Sequence, residues 1–255
     1  MVKLSAESVA NSLHQLPALH PVVVKLLESF EKAGVDTQSL VHEIAQDQAL
    51  VTRVLRLANS SFYGLPSHVD SLKDAVMILG FRTVRAVAVA VSLTDCFSSR
   101  KVPGFDTNAF WQHSAAVGMA AREIAAIVKR PTDVAFTAGI VHDIGVIALL
   151  WLHPKDMAAV LAACRDNGLP LDVAEREVFG VDHCAIGAAL ARHWNLPEAL
   201  VESIASHEQP ANAEAGSLAD IVHVANAIIH DYGLPAIEVI TVSAVSDLAM
   251  NRLGI

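Results

Sequence analysis

The clearest chemical signal in this chain is AGIVHDIGV at 138–146, where His142 and Asp143 stand side by side within an apolar run. Burying an ionised carboxylate in such a run costs several kcal/mol unless it is paired or bound to a cation. A divalent metal ion answers the need most simply, because neutral imidazole and carboxylate both ligate borderline and hard divalent cations. Two donors do not complete a coordination sphere, so other parts of the chain must supply the rest. Cys184, next to His183, invites comparison with a nucleophile and its base. Adjacent residues on a helix do not face one another, however, and Cys184 is read as core. Gly139, Gly145 and Gly187 form no phosphate-cradling loop, and no GxSxG or Walker-type sequence is present.

The elements that must position these groups read as helical throughout. With 255 residues, 53% of them hydrophobic and only 5% aromatic, the chain has the material for a substantial core. The net charge of −9 and pI of about 5.7 exclude a broad phosphate-binding face, so nucleic acid is not an expected partner. The three cysteines are far apart and form neither a CxxC nor an even set, which fits a reduced cytoplasm. The N-terminus has no apolar signal core, and the longest apolar runs, around Val84–Leu93 and Val141–Leu152, read as buried helices rather than membrane spans.

In chain order, Pro21 opens a helix in LPALHPVVVKLLESF that Gly34 closes, and a second begins near Thr37–Ser39. Asp47 caps a third, and a turn-rich break follows at Ser60–Pro66. Ser71 and Asp74 open a helix that stops at Gly80, and FRTVRAVAVAVSLTDCF reads as an enclosed central helix. Ser98–Thr107 is the candidate boundary between two helical blocks. After it, Asp106 or Asn108 caps a helix carrying His113, and Pro131–Asp133 precedes one containing His142 and Asp143. Helices are then expected over 157–164, 182–194, 198–207 and 217–232, with a final one through VITVSAVSDLAMNRL. The fold class is all-α. The expected division is an N-terminal helical block at 1–99, a second block at 105–232 and a closing helix within 233–255.

Taken together, QDQALVTRVLRLANSSFYG, SLKDAVMILGFRTVRAVAVA, FWQHSAAVGMAA and AGIVHDIG resemble the HDOD domain, a bacterial signalling relative of the HD phosphohydrolases. The resemblance runs from about Leu16 to His230. It departs from the family pattern at His20 and at Gln48, where prolines are usual. It implies an HD-domain-like helical bundle with an additional N-terminal block. It also implies a ligand set: His113, His142, Asp143 and Asp220 around one ion, with His183 and His207 completing a second that Asp143 would bridge. Such a pair of ions activates water and neutralises a phosphoryl group in transfer. Asp182 and Glu208 flank two of these histidines and are candidates to orient them. His14, His20, His42, His68, His153, His193 and His230 lie near turns or polar faces and are assigned no role.

Nitrogen and oxygen donors without thiolate favour iron or manganese, with zinc and other divalent ions as alternatives, one ion or two. HD phosphodiesterases usually carry a lysine directly after HDIG and a downstream GYP segment. Here the first position is Val146 and the second is absent from SHEQPANAEAG. Arg122, Lys129 and Arg130 are the remaining candidates to hold phosphate. The expected function is therefore a cytoplasmic signal-transduction module with a retained HD-type metal site. It would relay its state to signalling proteins and take a small phosphorylated or nucleotide-like ligand. An active metal-dependent phosphohydrolase and a metal-free scaffold are the alternatives.

Overall fold

The computed structural model describes residues 8, 11–19, 21–29, 36–59, 68–96, 102–233 and 245–255. Gly34, the Ser60–Pro66 break, much of Ser98–Thr107 and the first part of the expected last helix lie outside the described residues. Two compact units emerge: Ala18–Cys96, and Met1–Pro17 together with Phe97–Ile255. The first seventeen residues thus group with the later helices. Both units are all-helical, and no strand occurs among the described residues.

The Ala18–Cys96 unit contains α1 (Pro21–Glu28), α2 (Thr37–Gln46), α3 (Gln48–Ala58), α4 (Leu72–Leu79) and α5 (Phe81–Cys96). Its helices start where short polar side chains satisfy the first free N–H groups. Asp36 accepts from Gln38 N at 3.0 Å, Asp47 from Leu50 N at 3.0 Å and Ser71 from Asp74 N at 3.1 Å. Helix α5 packs against α1, α3 and α4, and every residue from Val84 to Val89 is buried. Arg85 shares that interior because its guanidinium donates to Ser29 O at 2.8 Å, a carbonyl left free just beyond the end of α1.

The other unit contains α6 (Thr107–Ile127), α7 (Thr132–Val141), α8 (Ile144–Leu152), α9 (Pro154–Asn167), α10 (Leu171–Phe179), α11 (His183–His193), α12 (Glu198–Ser206), α13 (Leu218–Asp231) and α14 (Asp247–Leu253). Short 3₁₀ turns occur at Leu13–Gln15 and Pro210–Asn212. Helix α6 packs along α7 and α13, α11 lies against α8 and α12, and α14 rests on α13.

One departure from expectation bears on function. A continuous helix through His142 and Asp143 was expected, but α7 ends at Val141 and α8 begins at Ile144. Asp143, at φ −99° and ψ 19°, leaves helical geometry, and Val146 N donates to Asp143 O at 2.9 Å in a tighter turn. The histidine and carboxylate therefore sit at a corner rather than on the side of a helix. Thr132–Leu152 is long and apolar enough to cross a bilayer, yet 89% of its most apolar window is buried within the protein, so its apolar surface is already used as core.

Candidate metal centre

Glycines set the helix spacing that brings the candidate ligands together. A Cβ on Gly139 would stand 2.6 Å from Gly118 Cα, so α6 and α7 cross backbone to backbone. His113 lies five residues before Gly118 on α6, and His142 three residues after Gly139. At the start of α8, a Cβ on Gly145 would fall 1.9 Å from His183 O and 2.7 Å from Gly187 N. That contact holds the corner bearing Asp143 against the start of α11, which bears His183. His207 follows α12 directly and completes the approach.

The result is a buried cluster. His113, His142, Asp143, His183 and His207 are each 6% exposed or less. Asp143 stands at its middle: Oδ2 is 3.1 Å from His142 Nε2, while Oδ1 is 3.2 Å from His207 Nε2 and 3.5 Å from His183 Nε2. Ring centroids of His113 and His142 lie 5.7 Å apart, those of His142 and His207 5.0 Å, and those of His183 and His207 5.5 Å.

The tautomers follow from the partners on the opposite nitrogens. His142 Nδ1 is 2.7 Å from Gly139 O and His207 Nδ1 is 3.0 Å from Ile204 O. Carbonyls only accept, so both Nδ1 atoms carry protons. His183 Nδ1 donates to Glu175 Oε2 at 2.7 Å, and the same oxygen accepts His183 N–H at 2.8 Å. Each ring therefore turns an Nε2 lone pair toward the Asp143 carboxylate, which is also an acceptor. Three imidazole lone pairs converging on one anion repel unless a cation stands among them. His142 Nε2, fully buried, indeed has no hydrogen-bond partner. The donor set and this orphaned nitrogen fit a divalent metal ion, with His142, Asp143, His183 and His207 to hold it and His113 beside them.

Without an ion, protons take that role. Burial lowers His183 and His207, but Cys184 and Glu175 acting on the first, and Cys184 and Asp143 on the second, raise both well above the ordinary imidazole range. Burial would raise Asp143, yet His142, His207 and His183 hold its carboxyl far below the usual value. His113 goes the other way: burial and then repulsion from His142 push it down to about 4. Its Nε2 donates to Asn226 Oδ1 at 2.9 Å.

Not every expected residue joins this group. Asp220 is fully buried on α13; its Oδ2 accepts from Gly216 N at 2.7 Å, while its Oδ1, 3.6 Å from Arg252, has no hydrogen-bond partner. As the third residue of α13 it reaches back to an N–H preceding the helix, the work of a helix-start carboxylate. Asn226, six positions further on in α13, meets His113 of the cluster. Asp182 caps α11 through Ala185 N at 3.0 Å and pairs with Arg176. Glu208 Oε1 is 3.7 Å from His207 Nε2. The carboxylate that orients His183 is Glu175, fully buried, raised by that burial, and unanticipated from its place in VAEREVFG. His223 also carried no expectation. Its Nδ1 donates to His207 O at 2.8 Å and its Nε2 accepts from Ser246 N at 3.1 Å, tying the His207 turn to the start of α14. Its spacing from Asn226 within HVAN put both on one face of α13, the only signal available for either.

The model of the HDOD domain family matches residues 16–210. An uncharacterized protein of Treponema pallidum is 26% identical over 210 residues, which are 82% of this chain and 40% of that protein. The chain thus spans less than half the length of that relative. Among solved structures, an HDOD domain protein of unknown function from Geobacter sulfurreducens shares the fold at TM-score 0.82 and 24% identity, over 96% of this chain and 83% of that one. A Shewanella amazonensis protein named "Putative phosphohydrolase" gives TM-score 0.77 at 29% identity, covering 96% of this chain and 95% of its own. The helical order, the histidines gathered about the Asp143 corner and the match over most of the sequence agree: the chain belongs to the HDOD domain family.

Proposed function

We propose that this chain is a metal-holding signalling module, in which a divalent cation bound about Asp143 sets the packing of the surrounding helices and partner proteins read the result. The reading is carried by one observation: three imidazoles, each with its Nδ1 proton committed elsewhere, aim Nε2 at a single buried carboxylate. One ion or two, iron, manganese or zinc, would satisfy those donors. The signalling role rests on family membership, and the cytoplasm is its proposed location. A small phosphorylated or nucleotide-like molecule is the proposed ligand class.

Tag-free protein reconstituted anaerobically with Fe²⁺ or Mn²⁺ tests the reading. Metal is expected to bind the wild type and be lost in Asp143→Ala. Metal on fewer than about a tenth of the wild-type molecules would overturn it and leave a metal-free scaffold.

The second reading is a metal-dependent phosphohydrolase, favoured by the 29% identity to the Shewanella protein so named. Against it stands the scarcity of phosphate-holding groups beside the cluster among the described residues. Val146 is fully buried and apolar. Arg122 lies nine residues beyond His113 on α6, about 14 Å along the helix, and Lys129 and Arg130 are further still. Hydrolysis of a generic phosphodiester and of cyclic dinucleotides by wild type and Asp143→Ala separates the readings. Equal rates remove the enzyme reading for those substrates.

A further inference from the structure

The sulfur of Cys184 lies inside the cluster, contrary to the expectation that it is only core. Its Sγ is 3.5 Å from His183 Nε2, 3.9 Å from His207 Nδ1 and 4.0 Å from His207 Nε2. The thiol is buried at 6% exposure. Although 183 and 184 are neighbours, they form the first turn of α11, where the bond to Glu175 turns the His183 ring so that its Nε2 comes near the sulfur.

We propose that Cys184 is a thiolate ligand, forming with His183, His207 and Asp143 Oδ1 a nitrogen, oxygen and sulfur subsite for a borderline divalent ion. This rests on the metal-holding reading above and refines it. The supporting geometry is quantitative. Around a tetrahedral ion with metal–sulfur bonds near 2.3 Å and metal–nitrogen or metal–oxygen bonds near 2.05 Å, donor atoms are separated by about 3.5 Å for nitrogen to sulfur and about 3.3 Å for nitrogen to oxygen. The separations found are 3.5 and 4.0 Å for the first kind, and 3.5 and 3.2 Å for the second. Four of the six donor-to-donor separations of such a tetrahedron therefore already lie within about 0.5 Å of the expected lengths. Two of them, the His183 and His207 Nε2 atoms, are buried lone pairs with their rings' other nitrogens already committed.

On binding, the thiol proton and any protons on the His183 and His207 Nε2 atoms pass to solvent, and the freed sulfur and nitrogen lone pairs form the bonds to the ion. His142, with His113 nearby, stays on the Oδ2 side of Asp143 for a second ion bound through nitrogen and oxygen alone. A thiolate shifts the preference of the first subsite toward zinc or ferrous iron and away from manganese and magnesium.

Loading the full chain with Co²⁺ anaerobically tests the assignment. Thiolate bound to Co²⁺ gives an intense near-ultraviolet charge-transfer band, which nitrogen and oxygen ligands do not, while the visible d–d bands and the cobalt content report the ion itself. The band is expected in wild type and in Cys164→Ser, and is lost in Cys184→Ser. X-ray absorption of Zn²⁺-loaded wild type needs no variant, and should show one sulfur neighbour at about 2.3 Å. Cobalt bound without the band and zinc without a sulfur neighbour would overturn the thiolate assignment while leaving the metal site intact. A band that survives Cys184→Ser would overturn it by placing the sulfur elsewhere. Wild-type protein that takes up no cobalt at all would overturn both this assignment and the metal-holding reading.

Discussion

Adding a single methyl group at Gly145 tests whether the metal centre depends on the close crossing of α8 and α11. The new carbon would lie 1.9 Å from His183 O, 2.8 Å from His183 C and 2.7 Å from Gly187 N. Ordinary contact begins near 3.4 Å, so the two helix starts must separate by about 1.5 Å, and all three atoms in the way belong to backbone that cannot rotate aside. Ligand distances in a metal site tolerate about 0.2 Å. A shift several times larger carries His183 away from Asp143. Overpacking of this kind costs about 1–3 kcal/mol, which in a chain of this size lowers Tm by roughly 2–12 °C. Gly187→Ala is the comparison: its nearest obstacle is Ile204 Cγ2 at 2.8 Å, the end of a side chain that can move. Metal content per chain and thermal unfolding by circular dichroism are measured on all three proteins. Gly145→Ala is expected to stay helical but hold less than about a tenth of the wild-type metal, with Gly187→Ala between the two. Wild-type metal content and an unshifted Tm in Gly145→Ala would refute the reasoning.

Glu175→Ala removes the acceptor that fixes the His183 tautomer, and should weaken metal binding about 10- to 100-fold in a chelator competition; unchanged affinity would show that Glu175 does not orient the ring. Asp220→Ala leaves Gly216 N–H without its acceptor and is expected to cost about 1–3 kcal/mol in urea unfolding while sparing metal content; loss of the metal would instead return Asp220 to the ligand set. Metal must displace the protons that His183 and His207 hold with raised pKa values, so affinity should rise with pH through neutrality. Calorimetry in buffers of different ionisation enthalpy should register that proton release. In the metal-free protein the His113 pKa is shifted in the opposite direction from those of His183 and His207. Its folded pKa of about 4 lies below the 6.5 of the unfolded chain, so its contribution is full above pH 6.5. It is lost as the pH falls toward 4, by about 3 kcal/mol at most. Urea unfolding of metal-free wild type and His113→Asn between pH 7 and 4 isolates that share.

Helix positions were legible because their signals are local. Asp36, Asp47, Ser71 and Asp106 each accept from N–H groups two or three residues ahead, and Gly80, Gly168 and Gly180 end helices at positive φ, so a short window of sequence contains both partners. The corner at Asp143 was not legible, because an apolar run of helix formers gives no sign of a break imposed by packing against α11. The cluster was legible only in part, for the same reason. Histidine and aspartate beside one another advertise themselves. Glu175, Asn226 and Cys184 matter through neighbours 8, 113 and 23 positions away, and the local cues at the last two, the HVAN spacing and the adjacent His183, name no such partners. Asp220 has a local side as well: its place in the first turn of α13 lets Oδ2 accept from Gly216 N, while Oδ1 is left without a hydrogen-bond partner.

Under the metal-holding proposal, the ion acts through its effect on packing. A buried carboxylate ringed by four imidazoles destabilises the folded chain unless the charges are balanced, and a bound cation offsets that cost. Metal binding free energy then becomes folding free energy for the corner between α7 and α8 and for the starts or ends of α11 and α12 that meet there. The bonds from His207 O through His223 to Ser246 N extend the dependence to α14. On the same proposal, gain or loss of the ion would thus be expressed in the order of these helices. Val146, two residues into the helix that follows the Asp143 corner, is packed into the core.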